Sequence, residues 1–181
     1  GSTGLLGSEI ERVLKTDFKV ISFNSKTFNL EKRDQFEGII VNIKPNILIN
    51  TAAMTNVDLA EQNKEKALKI NSFSVKKLAR LSNVYNFELI HISTDYVFDG
   101  EKWEKYKEDD LRKAINFYGY TKIMAEEYIE GISKNYKIFR VAWLIGKKRK
   151  TLFDFIVNYK DKDLEIIDDQ WGDPAFSWYV A

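Results

Sequence analysis

The chain has 181 residues, 44% hydrophobic and 30% charged, with a formal net charge of +1. That length supports a domain with a real core, and so small a net charge argues against nucleic acid or an anionic membrane as partner. No cysteine is present, which excludes a disulfide framework and thiolate metal sites and fits a reducing, cytoplasmic setting. The apolar runs are too short to span a bilayer.

Residues 1–7 read G-x-x-G-x-x-G. Such a turn lets backbone approach a pyrophosphate at the N-terminus of the following helix. With Gly1-Ser2 taken as a cleavage scar, only a weaker G-x-x-G remains. Leu6, Ile10, Val13 and Leu14 share one side of a helix over residues 4–14. Residues 18–23 read as a strand, and residues 33–43 as a short helix stopped before Pro45. Ile47 to Asn50 is a buried strand. Residues 63–81 read as one long helix with Ala67, Ile70, Val75, Leu78 and Leu81 as its core stripe. Residues 87–93 form the next strand. The charged and aromatic stretch 101–113 reads as a surface loop rather than a lid. A helix over 117–132, a strand over 136–142, a helix over 152–159 and a strand over 164–167 complete the pattern.

This alternation of short apolar runs with longer amphipathic stretches indicates an α/β fold, a Rossmann-like doubly wound parallel sheet. The connections are long enough for parallel crossovers. A glycine-rich nucleotide turn normally follows a buried strand, and the apolar pattern runs on to Ala181. The expectation is therefore a sheet lacking its first strand and most of a C-terminal substrate lobe. Residues 1–145 read as a dinucleotide-binding domain and 146–181 as the start of the substrate-binding portion. Ligands of such sheets sit at the carboxyl ends of the strands. Asn50 to Ala53, Ser93 to Asp95 and Ala142-Trp143 all stand just past a strand, so they should line one rim.

Tyr118 and Lys122 stand four apart on one face of the helix that begins at Phe117. Such a pair occurs about once by chance in a chain of this composition and carries nothing alone. Its context carries more: a helix start, the strand-end hydroxyl of Thr94 and the leading glycine turn. Reducing a ketone builds alkoxide character on oxygen, and a general acid must protonate it. A free phenol, with a pKa near ~10, is a reluctant donor. A nearby Lys122 ammonium would lower that pKa, and Thr94 would hydrogen-bond the same oxygen. His91, the sole histidine, lies inside an apolar strand and reads as a packed residue, since one histidine makes no metal set. Asp95 reads as a local cap, and Lys147 to Lys150 as a solvated basic loop. No metal site is expected.

Five segments resemble the extended short-chain dehydrogenase/reductase superfamily, and within it the dTDP-4-dehydrorhamnose reductase family. They are Gly1–Gly7; A-A-x-T-x-V-D-x-A-E over 52–61; S-T-D-Y-V-F-x-G over 93–100; Tyr118-Gly119-Tyr120-Thr121-Lys122; and Phe139 to Trp143. The late stretch Asp168 to Pro174 is similar to the family's D-Q-x-G-x-P turn. The resemblance implies NAD(P)H-dependent reduction of the 4-keto group of a dTDP-4-dehydro-6-deoxy sugar. It makes Thr94, Tyr118 and Lys122 the catalytic set. Gly1, Thr3, Gly4, Leu5, Gly7, Ala52, Ala53, Tyr118 and Lys122 would touch the cofactor, and Thr55, Val57, Thr94, Tyr118 and Trp143 the sugar. Asn71 matches a position where the family often has Asn. Asn24-Ser25-Lys26 has no carboxylate to hold a ribose diol, and Lys26 would tolerate a 2′-phosphate, so the cofactor reads as NADPH, with NADH kept open. Self-association into a homodimer is the remaining partner expectation. Two alternatives stand beside this reading. One is a non-catalytic, cofactor-binding regulatory subunit like that of methionine adenosyltransferase; the other is a different nucleotide-sugar reductase or epimerase.

Overall fold

Three short runs carrying β-branched, leucine and aromatic residues build the sheet. The computed structural model describes residues 1–148, 152–158, 169–170 and 172–181. Within them β1 (Ile47–Asn50), β2 (Glu88–Thr94) and β3 (Tyr136–Val141) lie parallel in the order β1-β2-β3. Asn50 stands opposite His91, and Thr94 opposite Val141. This register aligns the carboxyl ends of β1, β2 and β3 along one rim.

Helices supply the crossovers. They are α1 (Leu5–Leu14), α2 (Phe36–Ile43), α3 (Val57–Gln62), α4 (Lys64–Leu68), α5 (Ser74–Tyr85), α6 (Phe117–Ile132), α7 (Leu152–Asn158) and α8 (Ser177–Val180). A 3₁₀ turn over Arg33–Gln35 leads into α2, which ends at Lys44 in the left-handed conformation just before Pro45. Alternation along β2 sends Leu89, His91 and Ser93 inward. Leu89 joins Phe36, Ile40, Val75, Leu78, Ala125 and Ile129 in the main core, so α2, α5 and α6 cover one face of the sheet. α1 and α8 lie together on the other side, where Ile10, Leu14 and Val180 border a cavity of about 640 Å³ with Ile90 and Ile92.

Two elements differ from the sequence reading. Residues 19–24 make no strand. A strand needs a ladder partner, and the apolar cavity, lined by Lys19 to Phe23 on one side and Ile47 to Asn50 on the other, separates this segment from β1. The long helix over 63–81 is interrupted: α4 passes into a π turn over Lys69–Phe73 before α5 begins. Helices α3 and α8 carry no periodic signal long enough to read. The expected strand over 164–167 lies outside the described residues.

Candidate active site at the carboxyl ends of β1, β2 and β3

The glycine turn closes tightly on the end of β1. A Cβ on Gly1 would lie 2.3 Å from Thr51 Oγ1, and one on Gly7 2.2 Å from the Gly1 carbonyl oxygen. Only hydrogen fits at either position. Gly4 precedes α1 and donates its N–H to the Gly1 carbonyl (2.9 Å). No capping side chain and no acidic residue occupies the first turn of α1, which leaves its free N–H groups open to an anion. Thr3 is exposed and Leu5 half-buried beside them.

Asn71 clamps the loop after β1. Its Oδ1 accepts from Met54 N (2.8 Å), and its Nδ2 donates to Met54 O (3.0 Å) and to Thr121 Oγ1 (3.0 Å). One buried amide thus ties residues 52–56 to α6, and the π turn that carries it is a form common at functional sites. Ala52 and Ala53 are half-buried, Thr55 is exposed, and Val57 packs against the cluster containing Tyr118.

The start of α6 is seated against the turn after β2. Asn116 caps it, accepting from Gly119 N (2.8 Å), and Glu61 accepts from Phe117 N (2.6 Å). A Cβ on Gly119 would fall 2.1 Å from the Tyr96 carbonyl oxygen, so glycine is what permits this approach. It brings Tyr118, 7% exposed, into the neighbourhood of Thr94. Burial pushes the phenol up to about 12; the nearby Thr94 hydroxyl opposes this, and Asp95 and Tyr96 reinforce it. Thr94 Oγ1 donates to Asp95 Oδ1 (3.0 Å) and accepts from Tyr96 N (3.3 Å). Burial raises the Asp95 carboxyl, while bonds from Thr94 and nearby backbone N–H groups oppose the rise; the side chain that caps the turn over Asp95–Val97 is that of Thr94 rather than the expected Asp95.

Lys122 is 1% exposed. Its Nζ lies 2.7 Å from the Ile92 carbonyl and 2.9 Å from His91 Nε2. Burial lowers its pKa to about 7, with Glu126 opposing. The Glu126 carboxylate is already held by Arg112 (2.9 Å) and Arg140 (2.8 Å). The structure therefore brings Thr94, Tyr118 and Lys122 to one end of β2 but corrects their electrostatics. Among the described residues no hydrogen bond joins the amine to the phenol, and the phenol is raised rather than lowered.

Trp143, just past β3, is 40% exposed and held at φ 39°, a left-handed conformation that costs a non-glycine residue. Gly172 faces its ring. Residues 175–181 fold back on this corner: Ala175 N donates to Ala142 O (3.0 Å) and Ile145 N to Ala175 O (2.8 Å). Within the late turn motif, Asp168 and Trp171 lie outside the described residues, as do Arg149 and Lys150 of the basic run; Lys147 and Lys148 are exposed.

The stretch 101–113 is irregular as expected, yet it is fastened down. Tyr106 stacks on Phe98 (centroids 4.2 Å apart) and donates to Asp99 Oδ1 (2.7 Å), Lys102 pairs with Asp110 (2.6 Å), and Arg112 grips Glu126 and Glu130. Sequence reasoning placed Asn50 on the rim without a partner and assigned no working part to His91, Gly119 or Thr121. His91 left a trace as a polar residue in an apolar strand. Among the described residues no cluster could hold a metal ion, and no helix is long and apolar enough to cross a membrane.

The whole chain, residues 1–181, matches the family described as the RmlD substrate binding domain. It is 32% identical over 185 residues to a dTDP-4-dehydrorhamnose reductase of Aggregatibacter actinomycetemcomitans, an alignment covering all of this chain and 63% of that protein. Its fold overlays on a dTDP-4-dehydrorhamnose reductase of Clostridium acetobutylicum with a TM-score of 0.94 at 34% identity, covering 99% of this chain and 65% of that one. It overlays on the Bacillus anthracis reductase, solved in complex with NADP, with a TM-score of 0.92 at 29% identity, covering 98% and 64%. The chain thus spans less than two thirds of the length of these relatives. A sequence match from end to end and the same parallel α/β frame lead to one conclusion: the chain belongs to the RmlD substrate binding domain family.

Proposed function

We propose that this chain carries the cofactor-binding and catalytic part of an NADPH- or NADH-dependent reductase acting on the 4-keto group of a dTDP-4-dehydro-6-deoxy sugar. The observation that carries the reading is the meeting of the Thr94 hydroxyl, the Tyr118 phenol and the buried Lys122 amine at the end of β2.

The residues fit a dinucleotide. Gly1 and Gly7 leave no room for side chains where backbone would meet pyrophosphate, and the first turn of α1 is free of carboxylates. Asn24 Oδ1 accepts from Lys26 N (2.9 Å) in a tight turn that leaves Lys26 exposed, where its charge suits a 2′-phosphate and favours NADPH. Ala52 and Ala53 would border the nucleotide. When bound, the nicotinamide supplies hydride to the carbonyl carbon. Tyr118, a neutral phenol at physiological pH, gives its proton to the carbonyl oxygen. Thr94 directs a hydrogen bond to the same oxygen. Thr55, Val57 and Trp143 face the sugar, and residues 146–181 begin its binding lobe. A homodimer and a cytoplasmic location complete the reading, both resting on the family resemblance.

The test is the full protein with reduced cofactor and a dTDP-4-dehydro-6-deoxy sugar. Loss of nicotinamide absorbance matched by formation of the 4-hydroxy sugar supports the reading. Cofactor binding without turnover points to the regulatory-subunit alternative.

A further inference from the structure

The reaction assigned to Tyr118 leaves a buried hydroxyl behind it unused. Thr121 follows Tyr118 in α6 and is fully buried. Its Oγ1 accepts from Asn71 Nδ2 (3.0 Å) and donates to the Tyr118 carbonyl (2.7 Å). Its own carbonyl accepts from Ser72 Oγ (2.8 Å). Asn71 and Ser72 are buried as well, and both belong to the π turn over Lys69–Phe73.

The direction of each bond is fixed. Met54 N can only donate and Met54 O only accept, so the Asn71 amide must sit with Oδ1 toward the first and Nδ2 toward the second. The other hydrogen on Nδ2 goes to Thr121 Oγ1, which accepts it. The proton of the Thr121 hydroxyl is then left for the Tyr118 carbonyl. An unbroken chain thus runs from the Met54 peptide to the backbone of Tyr118, with both hydrogens of the Asn71 amide in use. Two other ties seat the same turn of α6: Glu61 accepts from Phe117 N (2.6 Å), and Gly119 lies against the Tyr96 carbonyl. Thr121 supplies the tie that leads, through Asn71, to the loop after β1.

We propose that Thr121 is a positioning residue for Tyr118: its hydroxyl carries the placement of residues 52–56, through Asn71, to the first turn of α6 and so to the phenol. This rests on the reading of Tyr118 as the proton donor. Thr121→Val keeps nearly the same shape, but the new side chain neither accepts from Asn71 nor donates to the Tyr118 carbonyl. One N–H of the buried amide is then left without an acceptor, and the turn that carries the phenol is free to shift against the loop. The segment expected to border nucleotide and sugar no longer sets where the phenol stands.

The test compares Thr121→Val with Thr121→Ser in the full protein. With reduced cofactor and a dTDP-4-dehydro-6-deoxy sugar, Thr121→Val should lower kcat by ~10–10² while both KM values stay within about threefold. Thr121→Ser, which keeps the hydroxyl, should recover most of the rate. In a Tyr118→Phe background, adding Thr121→Val should change the residual rate by less than about twofold, because the group it positions is gone. A kcat near wild type in Thr121→Val, a serine variant as slow as the valine one, or an equal further loss in the Tyr118→Phe background overturns the proposal. A second measurement needs no turnover. In protein labelled with ¹³Cζ-tyrosine, the Tyr118 signal, assigned by its absence from Tyr118→Phe, should move in Thr121→Val and hold its wild-type position in Thr121→Ser. An unmoved signal in the valine variant overturns the proposal. Thr121→Ala takes the place of Thr121→Val in both arms should the latter not fold. A signal that moves and is restored by serine, in a protein that reduces no sugar, sinks the reductase reading alone; wild-type turnover in Thr121→Val sinks the positioning role alone.

Discussion

Replacing Lys122 with methionine should make the protein more stable at neutral and acid pH and less stable at alkaline pH. Methionine matches the stem of the lysine and removes only the amine. A lysine whose pKa falls from 10.5 to about 7 on folding carries a charging cost on the order of 5 kcal/mol when protonated. Removing the amine also removes its contacts with the Ile92 carbonyl and His91 Nε2, a loss of roughly 1–3 kcal/mol. Below pH about 7 both folded and unfolded chains hold the proton, so the cost is at its full size. Between pH about 7 and 10.5 the unfolded chain binds a proton that the folded protein does not, so this group raises wild-type stability as pH rises. Lys122→Met should therefore gain roughly 2–4 kcal/mol at the acid end and lose roughly 1–3 kcal/mol at the alkaline end. Urea denaturation of the full protein and the variant across this range measures the difference. A constant difference at every pH would refute a buried, uncompensated lysine.

Four further outcomes follow from the geometry. Tyr118→Phe should lower turnover by ~10²–10⁴ while cofactor affinity, read by fluorescence titration, stays near wild type. Because the phenol is pushed up to about 12, its ionisation should impose no fall in rate on the alkaline side until pH approaches that value. Gly119→Ala drives a Cβ to 2.1 Å from the Tyr96 carbonyl, so α6 must shift; a stability loss of ~1–3 kcal/mol or more should accompany loss of activity in the same preparation. Glu126→Gln leaves Arg112 and Arg140 without their shared carboxylate, and should cost ~3–5 kcal/mol and expose residues 99–113 to proteolysis.

The strands and α6 were legible because they are short, strongly patterned and bounded by clear breaks. Ile47–Asn50 and Phe117–Ile132 fall where the apolar period places them. The segment 18–23 carries a strand pattern too, but pattern cannot supply the ladder partner that turns an extended segment into a strand. The π turn left one trace. The core stripe of Ala67, Ile70, Val75, Leu78 and Leu81 steps by five between Ile70 and Val75, where a regular helix would step by three or four. The site residues were legible as types at strand ends. Their electrostatics were not, because spacing shows a phenol and an amine on one helical face but not which buried groups claim the amine. His91 and the Ile92 carbonyl do so from a different element, and the opposite sign of the phenol's shift follows from its burial.

The central claim is that one reducible oxygen meets Thr94 and Tyr118 beside the nicotinamide ring. A crystal structure of the full protein with NADP⁺ and dTDP-L-rhamnose tests it most directly. The account predicts the sugar O4 within hydrogen-bond reach of both Thr94 Oγ1 and the Tyr118 hydroxyl, with C4 facing the nicotinamide. A sugar bound with O4 away from both hydroxyls, or a dinucleotide seated elsewhere than over Gly1 to Gly7, would contradict it.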